Sequence, residues 1–419
     1  MQGNILVLTV TQVLGMFCRS MAFPYASLYI LALGGSSAEI GFVNSMRPLA
    51  GLLIFPLAGY LADIVGRAKL IALGGYISGT IYLMYVFAPN WETIALAALF
   101  QGFIVFQFPA TSAIIADSLP PKSRGKGIAT INTIAGTFAI FSPYVAGVVL
   151  TIYGVNLGMR FLYGALAFVY LISATINLRY IRETSKRSEE KIVLSNLPRI
   201  LKNSYSGVPA ILRQLPRSLR VLAIVIVLGF TSNAVAGSFW VVYALGHIGL
   251  SAVDWGLVLL VETTLRNLTY IPAGMLADRY GRTKAIQVAL LLSLASIPLF
   301  VFSRSFMEVL LIRSTIAVST ALFIPAASAL MADTVPRDMR GRVTSALGRG
   351  TVLIGAASGG IGGPGAGFIT TIPVMIGSMA GGYLYAFNPT YPWYFVSIAT
   401  VISVVLSVFF IHDPEEAEI

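Results

Sequence analysis

Gly59-Tyr-Leu-Ala-Asp63-Ile-Val-Gly66-Arg67-Ala-Lys69 returns later in the chain as Gly274-Met-Leu-Ala-Asp278-Arg-Tyr-Gly281-Arg282-Thr-Lys284. The shift is 215 residues, about half of the 419. Each copy lies between two long apolar stretches. Two further matches keep the same order. Glu39-Ile-Gly41 pairs with Asp254-Trp-Gly256, and Pro109 through Asp117, Pro120 and Arg124-Gly125 pairs with Pro325 through Asp333, Pro336 and Arg340-Gly341. Three ordered matches mark an internal duplication.

The composition says what was duplicated. Mean hydropathy is +0.82, with 57% hydrophobic and only 11% charged residues. Globular proteins carry about 25% charged residues. A soluble fold has too little polar surface here to cover its apolar runs, so lipid is the solvent. The runs are about 20 residues long, the length of a membrane-crossing helix, and not the ten-residue alternations of a barrel. They predict spans at 5–33, 38–62, 69–88, 92–116, 127–153, 160–181, 220–247, 252–277, 284–302, 306–332 and 392–411, with an irregular region at 343–387. The fold class is therefore all-α integral membrane. Twelve transmembrane helices form two pseudo-symmetric six-helix bundles, 1–181 and 220–419, joined by a basic linker at 182–219.

The net charge of +11 has a positional explanation. Of 28 Lys and Arg, 21 fall in alternate connections, and the opposite connections hold only Arg160 and Arg304. This bias orients a multi-pass protein with both termini in the cytoplasm, and it argues against a nucleic-acid partner. The linker, with Pro198, Pro209 and Pro216 among Lys and Arg, reads as a segment on the cytoplasmic lipid surface. Cys18 stands alone in the first span, which excludes a disulfide framework. His247 and His412 are too few and too distant for a metal site. Met1-Gln-Gly-Asn4 lacks the charged start of a signal peptide, so the first span is expected to remain as a helix.

The halves diverge after Arg342. Pro143 and Gly147 match Pro373 and Gly377 only if about fourteen residues are added, among them the glycine-rich Gly355–Gly367. Gly and Pro at this density break a helix, so the eleventh span is expected to be irregular. Gly360-Ile-Gly362-Gly-Pro364-Gly365 matches a dinucleotide fingerprint in letters only. No strand precedes it and no acid follows at the right distance.

The repeated turn, Gly-x-x-x-Asp-x-x-Gly-Arg-x-Lys, resembles motif A of the major facilitator superfamily, and the resemblance spans the chain through its two halves. It implies charge clusters that latch the cytoplasmic side: Asp63, Gly66, Arg67 and Asp117 in one half, and Asp278, Gly281, Arg282 and Asp333 in the other. Arg67 is expected to pair with Asp117, and Arg282 with Asp333. The alternative is a set of static ion pairs at helix ends. The resemblance further implies that spans one, four, seven and ten line a central cavity.

Charges inside the spans are the second signal. Arg19, Arg47, Glu262, Arg266 and Arg313 fall within apolar helices, where each costs about 2.5–3.5 kcal/mol at mid-depth unless it faces a partner or a cavity. Glu262 and Arg266 are four apart on one helix face and can pair; Arg47 occupies the place of Glu262 in the first half. Glu262, with Arg266 and Arg47, is the candidate for proton coupling. With the cavity expectation, Arg19 and Arg313 favour an anionic solute, with Tyr25, Gln101, Asn233 and Trp240 as possible neighbours.

The branch resembled is that of drug/proton antiporters, but two of its marks are weakened here. Ser142-Pro143-Tyr-Val-Ala146-Gly147 is a loose form of its Gly-Pro-x-x-Gly-Gly motif, and Ala98 stands where an Arg is usual three residues before Gln101. The expected activity is secondary transport of a small amphipathic or anionic solute by alternating access. Proton-coupled export or exchange leads, with proton-coupled uptake or facilitated diffusion as the alternative within transport, and a transport-dead receptor as the alternative outside it. No nucleophile–base set, phosphate-binding loop or cofactor motif suggests an enzyme. The expected partners are the solute, protons and lipid, around a monomer.

Overall fold

In lipid a backbone N–H or C=O finds no water, so a long apolar segment satisfies itself as a helix. The computed structural model describes residues 3–54, 66–184, 215–335 and 368–413, and among these every regular element is helical. The first stretches hold α1 (Asn4–Ala22), α2 (Ala26–Ala32), α3 (Ser37–Ile54), α4 (Arg67–Val86), α5 (Trp91–Phe103), α6 (Gln107–Asp117), α7 (Arg124–Ala139) and α8 (Ser142–Tyr180). The later ones hold α9 (Arg217–Ala236), α10 (Trp240–Tyr243), α11 (Ala252–Tyr280), α12 (Arg282–Ser296), α13 (Phe306–Thr334), α14 (Phe368–Phe387) and α15 (Tyr391–Phe410). Short 3-10 turns join α1 to α2 and α5 to α6.

Eight of the described helical runs are long and apolar enough to cross a membrane. One of them, Arg124–Tyr180, has 57 residues. At 1.5 Å per residue it would reach about 85 Å, against a hydrocarbon core of about 30 Å. Gly154, at φ 73°, breaks it between the fifth and sixth expected spans. α11 has a span's length but is interrupted by Glu262, Arg266, Asp278 and Arg279.

The irregular region expected over 343–387 is corrected in part. From Phe368 onward it is the continuous helix α14, with Pro373 inside it. The glycines of α14 serve packing. A β-carbon on Gly377 would lie 3.0 Å from the Thr231 carbonyl oxygen, and one on Gly381 2.2 Å from that of Val235. Two glycines four apart thus seat α14 on α9, the small-residue contact that lets helices approach in lipid. Gly355–Gly367 itself lies outside the described residues.

Contacts group the chain into two compact units, Met1–Gly34 with Met46–Ser206, and Gly35–Ser45 with Gly207–Ile419. The duplication is visible at helix starts. Ser36 donates its backbone N–H to Glu39 at 2.7 Å before α3, and Ser251 donates its own to Asp254 at 2.9 Å before α11. The repeated spacing read as Glu39-Ile-Gly and Asp254-Trp-Gly is therefore a helix N-terminal cap in both copies, the serine hydroxyl accepting from the Ala38 N–H at 3.2 Å in the first and from the Asp254 N–H at 3.1 Å in the second. Serine and threonine hydroxyls inside the helices mostly donate to the carbonyl four residues back, as Thr9 does to Ile5 at 2.6 Å and Ser78 to Gly74 at 2.6 Å. This keeps polar side chains compatible with lipid.

Candidate functional site

The repeated turns are built alike in both units. Gly66 has φ 90° and Gly281 φ 102°, a region that a β-carbon disfavours. The turn then opens α4 or α12, whose first N–H groups have no helical partner. Glu183 accepts from the Ala68 N–H at 3.0 Å, and Asp413 accepts from the Thr283 N–H at 2.9 Å and its hydroxyl at 3.0 Å. Ala68 and Thr283 are related by the same shift of 215 residues. A carboxylate at a helix N-terminus also meets the positive end of the helix dipole.

The arginines of these turns face the ends of the fourth and tenth expected spans. Arg67 lies 2.5 Å from Asp117. Arg282 forms an ion pair with Asp333, donates to the Ala329 carbonyl at 3.0 Å, and stands 3.9 Å from Asp278. All these groups are partly exposed, so each pair alone contributes little stability. Asp63 lies outside the described residues. Glu183 and Asp413 escaped the sequence reading, because the added residues after Arg342 hide their correspondence. The signal was present: each acid follows by two residues a buried isoleucine, Ile181 or Ile411, just past the last helix of its half.

In the second unit the intramembrane charges converge. Arg313, on α13, donates from Nε and Nη2 to one oxygen of Glu262, on α11, at 3.0 and 2.6 Å. Arg266 stands 3.9 Å from the other oxygen. Glu262 is 3% exposed and Arg313 0%. The guanidinium of Arg313 also lies 4.6 Å from the Trp240 ring centroid. Trp240 packs on Phe300 and Trp393, and its indole N–H has no acceptor among the described residues. The sequence paired Glu262 with Arg266 by helical spacing; the structure adds Arg313 as the nearer partner. Arg313, expected from its place in the sequence to favour an anionic solute, is thus engaged by an acid of the protein. Asn233 is buried at the end of α9, where its carbonyl accepts from the Gly237 N–H at 2.7 Å.

The first unit is arranged differently. Arg19, half-buried in α1, donates from Nε to its own helix at Gly15 and faces Tyr82 on α4 and Tyr170 on α8. Arg47, half-buried in α3, donates to the Gln101 side-chain oxygen and lies 5.2 Å from the Phe23 ring centroid. Gln101 Nε2 is buried and has no partner among the described residues. Tyr82, Tyr85, Tyr163 and Tyr170 form a continuous set of rings, with centroids 4.5 Å apart for Tyr85 and Tyr163 and 5.2 Å for Tyr82 and Tyr170. The sequence reading did not find these four; they lie on two helices far apart in the chain. Tyr25 is fully buried and donates to the Pro143 carbonyl at 2.9 Å, so its hydroxyl ties the turn after α1 to the start of α8.

Comparison with known proteins places this geometry in a family. The model described as Major Facilitator Superfamily matches residues 8–265 and 221–418. An uncharacterized MFS-type transporter of Methanocaldococcus jannaschii is 25% identical, over 97% of this chain and 94% of its own. Multidrug resistance protein MdtG of Salmonella arizonae is 27% identical, over 81% of this chain and 83% of its own. Among solved structures, a bacterial homolog of the human lysosomal transporter Spinster, inward-facing and unoccupied, shares the fold at a TM-score of 0.69 and 15% identity, over 97% of this chain and 96% of its own. The nucleoside transporter NupG shares it at 0.67 and 16%, over 97% and 98%.

Proposed function

Because this chain belongs to the major facilitator superfamily, whose members are multi-pass membrane transporters and not enzymes, we propose that it exports or exchanges a small amphipathic or anionic solute in a proton-coupled cycle of alternating access. The relatives named for multidrug resistance support export as the direction. The observation that carries the coupling is Glu262, a carboxylate 3% exposed and held by Arg313. Protonation would remove its charge and loosen Arg313; deprotonation would restore the pair. An acid whose bond to a neighbouring helix depends on one proton can link a proton gradient to a change in packing.

The test uses everted membrane vesicles with fluorescein, rhodamine and ethidium as probes. Accumulation of at least one probe should rise when the vesicle interior is made acidic, by about tenfold or more over collapsed-gradient controls. Glu262→Gln should abolish that gradient dependence while probe binding survives. Gradient-driven accumulation that persists in Glu262→Gln removes the proton role, and equilibration indifferent to the gradient identifies facilitated diffusion instead.

The paired turns are the proposed cytoplasmic latch. In a background with Cys18→Ser, single cysteines at Lys69 and Lys284 should react with an impermeant thiol reagent only from the cytoplasmic side. Asp117→Asn together with Asp333→Asn should speed that labelling several-fold, since each arginine loses its charged partner. Labelling from the outer side overturns the orientation, and an unchanged rate makes the pairs static.

A further inference from the structure

The two units solve the same electrostatic problem in opposite ways. Arg47 stands 215 residues before Glu262, the position that neutralises Arg313 in the second unit. Where the second unit has an acid between two arginines, the first has a second arginine. Among the described residues neither Arg19 nor Arg47 forms an ion pair; the first unit's described pair is Arg67 with Asp117, at the cytoplasmic turn. The contacts that Arg19 and Arg47 do make are to neutral groups: the Gly15 carbonyl, the Gln101 side chain, the Phe23 ring and the tyrosines.

Those contacts do not balance two charges. A guanidinium at mid-membrane costs about 2.5–3.5 kcal/mol, and a cation–π contact returns about 0.5–2. Phe23 joins the two arginines: its N–H donates to the Arg19 carbonyl, and its ring centroid lies 5.2 Å from the Arg47 guanidinium. Beside them Gln101 Nε2, on a side chain 9% exposed, is a donor with no acceptor among the described residues. Donors outnumber acceptors, and the surrounding faces are aromatic.

We propose that Arg19, Arg47 and Gln101, walled by Tyr82, Tyr85, Tyr163 and Tyr170, bind the carboxylate of a small aromatic anion inside the first unit. The ligand supplies the acid that Glu262 supplies in the second unit. Arginine favours a planar carboxylate because its donors match both oxygens, and tyrosine rings favour a flat apolar body beside it. The proposal deepens the transport reading: that the anion is cargo rests on that reading, while its binding does not.

Benzoate is the probe, with benzamide as the neutral isostere, cyclohexanecarboxylate as the anion without a ring, and acetate as the anion without a body. Each is titrated at neutral pH into the purified full-length protein in nanodiscs, and binding is read as thermal stabilisation. Benzoate should bind at least about tenfold more tightly than benzamide, the difference set by one charge-assisted pair, and more tightly than cyclohexanecarboxylate and acetate. Arg47→Gln and Arg19→Gln should each weaken benzoate about tenfold and leave benzamide unchanged. The comparison of ligands on the unaltered protein stands even if a variant fails to fold. Equal binding of benzoate and benzamide, no binding of any probe, or benzoate binding unchanged in both variants overturns the site. Benzoate binding that survives without benzoate flux in vesicles keeps the site and removes the transport reading; flux of fluorescein with no preference for benzoate over benzamide does the reverse.

Discussion

Glu262→Leu is expected to lower stability by about 3–5 kcal/mol, and adding Arg313→Leu is expected to restore part of the loss. The reason lies in which charge is stranded. Arg313 is 0% exposed and gives two hydrogen bonds to Glu262, at 3.0 and 2.6 Å. Without the acid it loses both bonds, and the face of Trp240, 4.6 Å away, does not replace a charged partner. Arg313→Leu alone should cost less, because Glu262 retains Arg266 at 3.9 Å and Arg266 is 28% exposed. Removing both ends of the pair removes two desolvation costs along with one attraction, so the double variant should be more stable than Glu262→Leu. Glu262→Gln, used above for flux, keeps an oxygen for Arg313 to donate to and should be the mildest of the four. Unfolding midpoints compared at one scan rate in one detergent decide the matter. Additive losses would mean that the pair is not energetically coupled.

That pair also shows where sequence reasoning reached and where it stopped. Local features were legible because local spacing sets them: the duplicated turn, the glycines at positive φ, and the i,i+4 relation of Glu262 to Arg266. The pairs Arg67 with Asp117 and Arg282 with Asp333 came from family resemblance, since nothing in their spacing brings them together. Arg313 was visible as a charge in an apolar helix, but its partner depends on the rotation of α13 against α11, which periodicity does not specify. The tyrosines around Arg19 and Arg47 failed for the same reason. Each reads as an ordinary packing residue on its own helix, and only the packing of α4 on α8 makes them one surface. The glycine-rich Gly355–Gly367, which suggested an irregular span, lies outside the described residues; from Phe368 onward α14 is continuous through Pro373, its glycines held against α9.

Gly102→Val should be among the most damaging single changes in the first unit, costing about 3 kcal/mol, and it should weaken benzoate binding without touching a proposed ligand. A β-carbon at Gly102 would lie 2.3 Å from the Arg47 carbonyl oxygen and 2.7 Å from the Ala50 β-carbon. The obstacle is backbone on one side, so no rotamer change relieves it; α5 must move from α3. Gly102 follows Gln101 directly, and Gln101 accepts from Arg47 across the same crossing. Separating the helices therefore parts the two groups that the anion is proposed to meet. Gly136, in α7, is the control, because a β-carbon there meets nothing within 4 Å. Gly136→Ala should be neutral or stabilising by up to about 1 kcal/mol, since alanine loses less backbone freedom in a helix. Gly102→Ala should fall between Gly136→Ala and Gly102→Val, in both unfolding midpoint and benzoate affinity. If Gly102→Val unfolds at the temperature of the unaltered protein, the close crossing of α3 and α5 is not what fixes Arg47 beside Gln101. If it is destabilised yet binds benzoate normally, the crossing supports the fold but not the site.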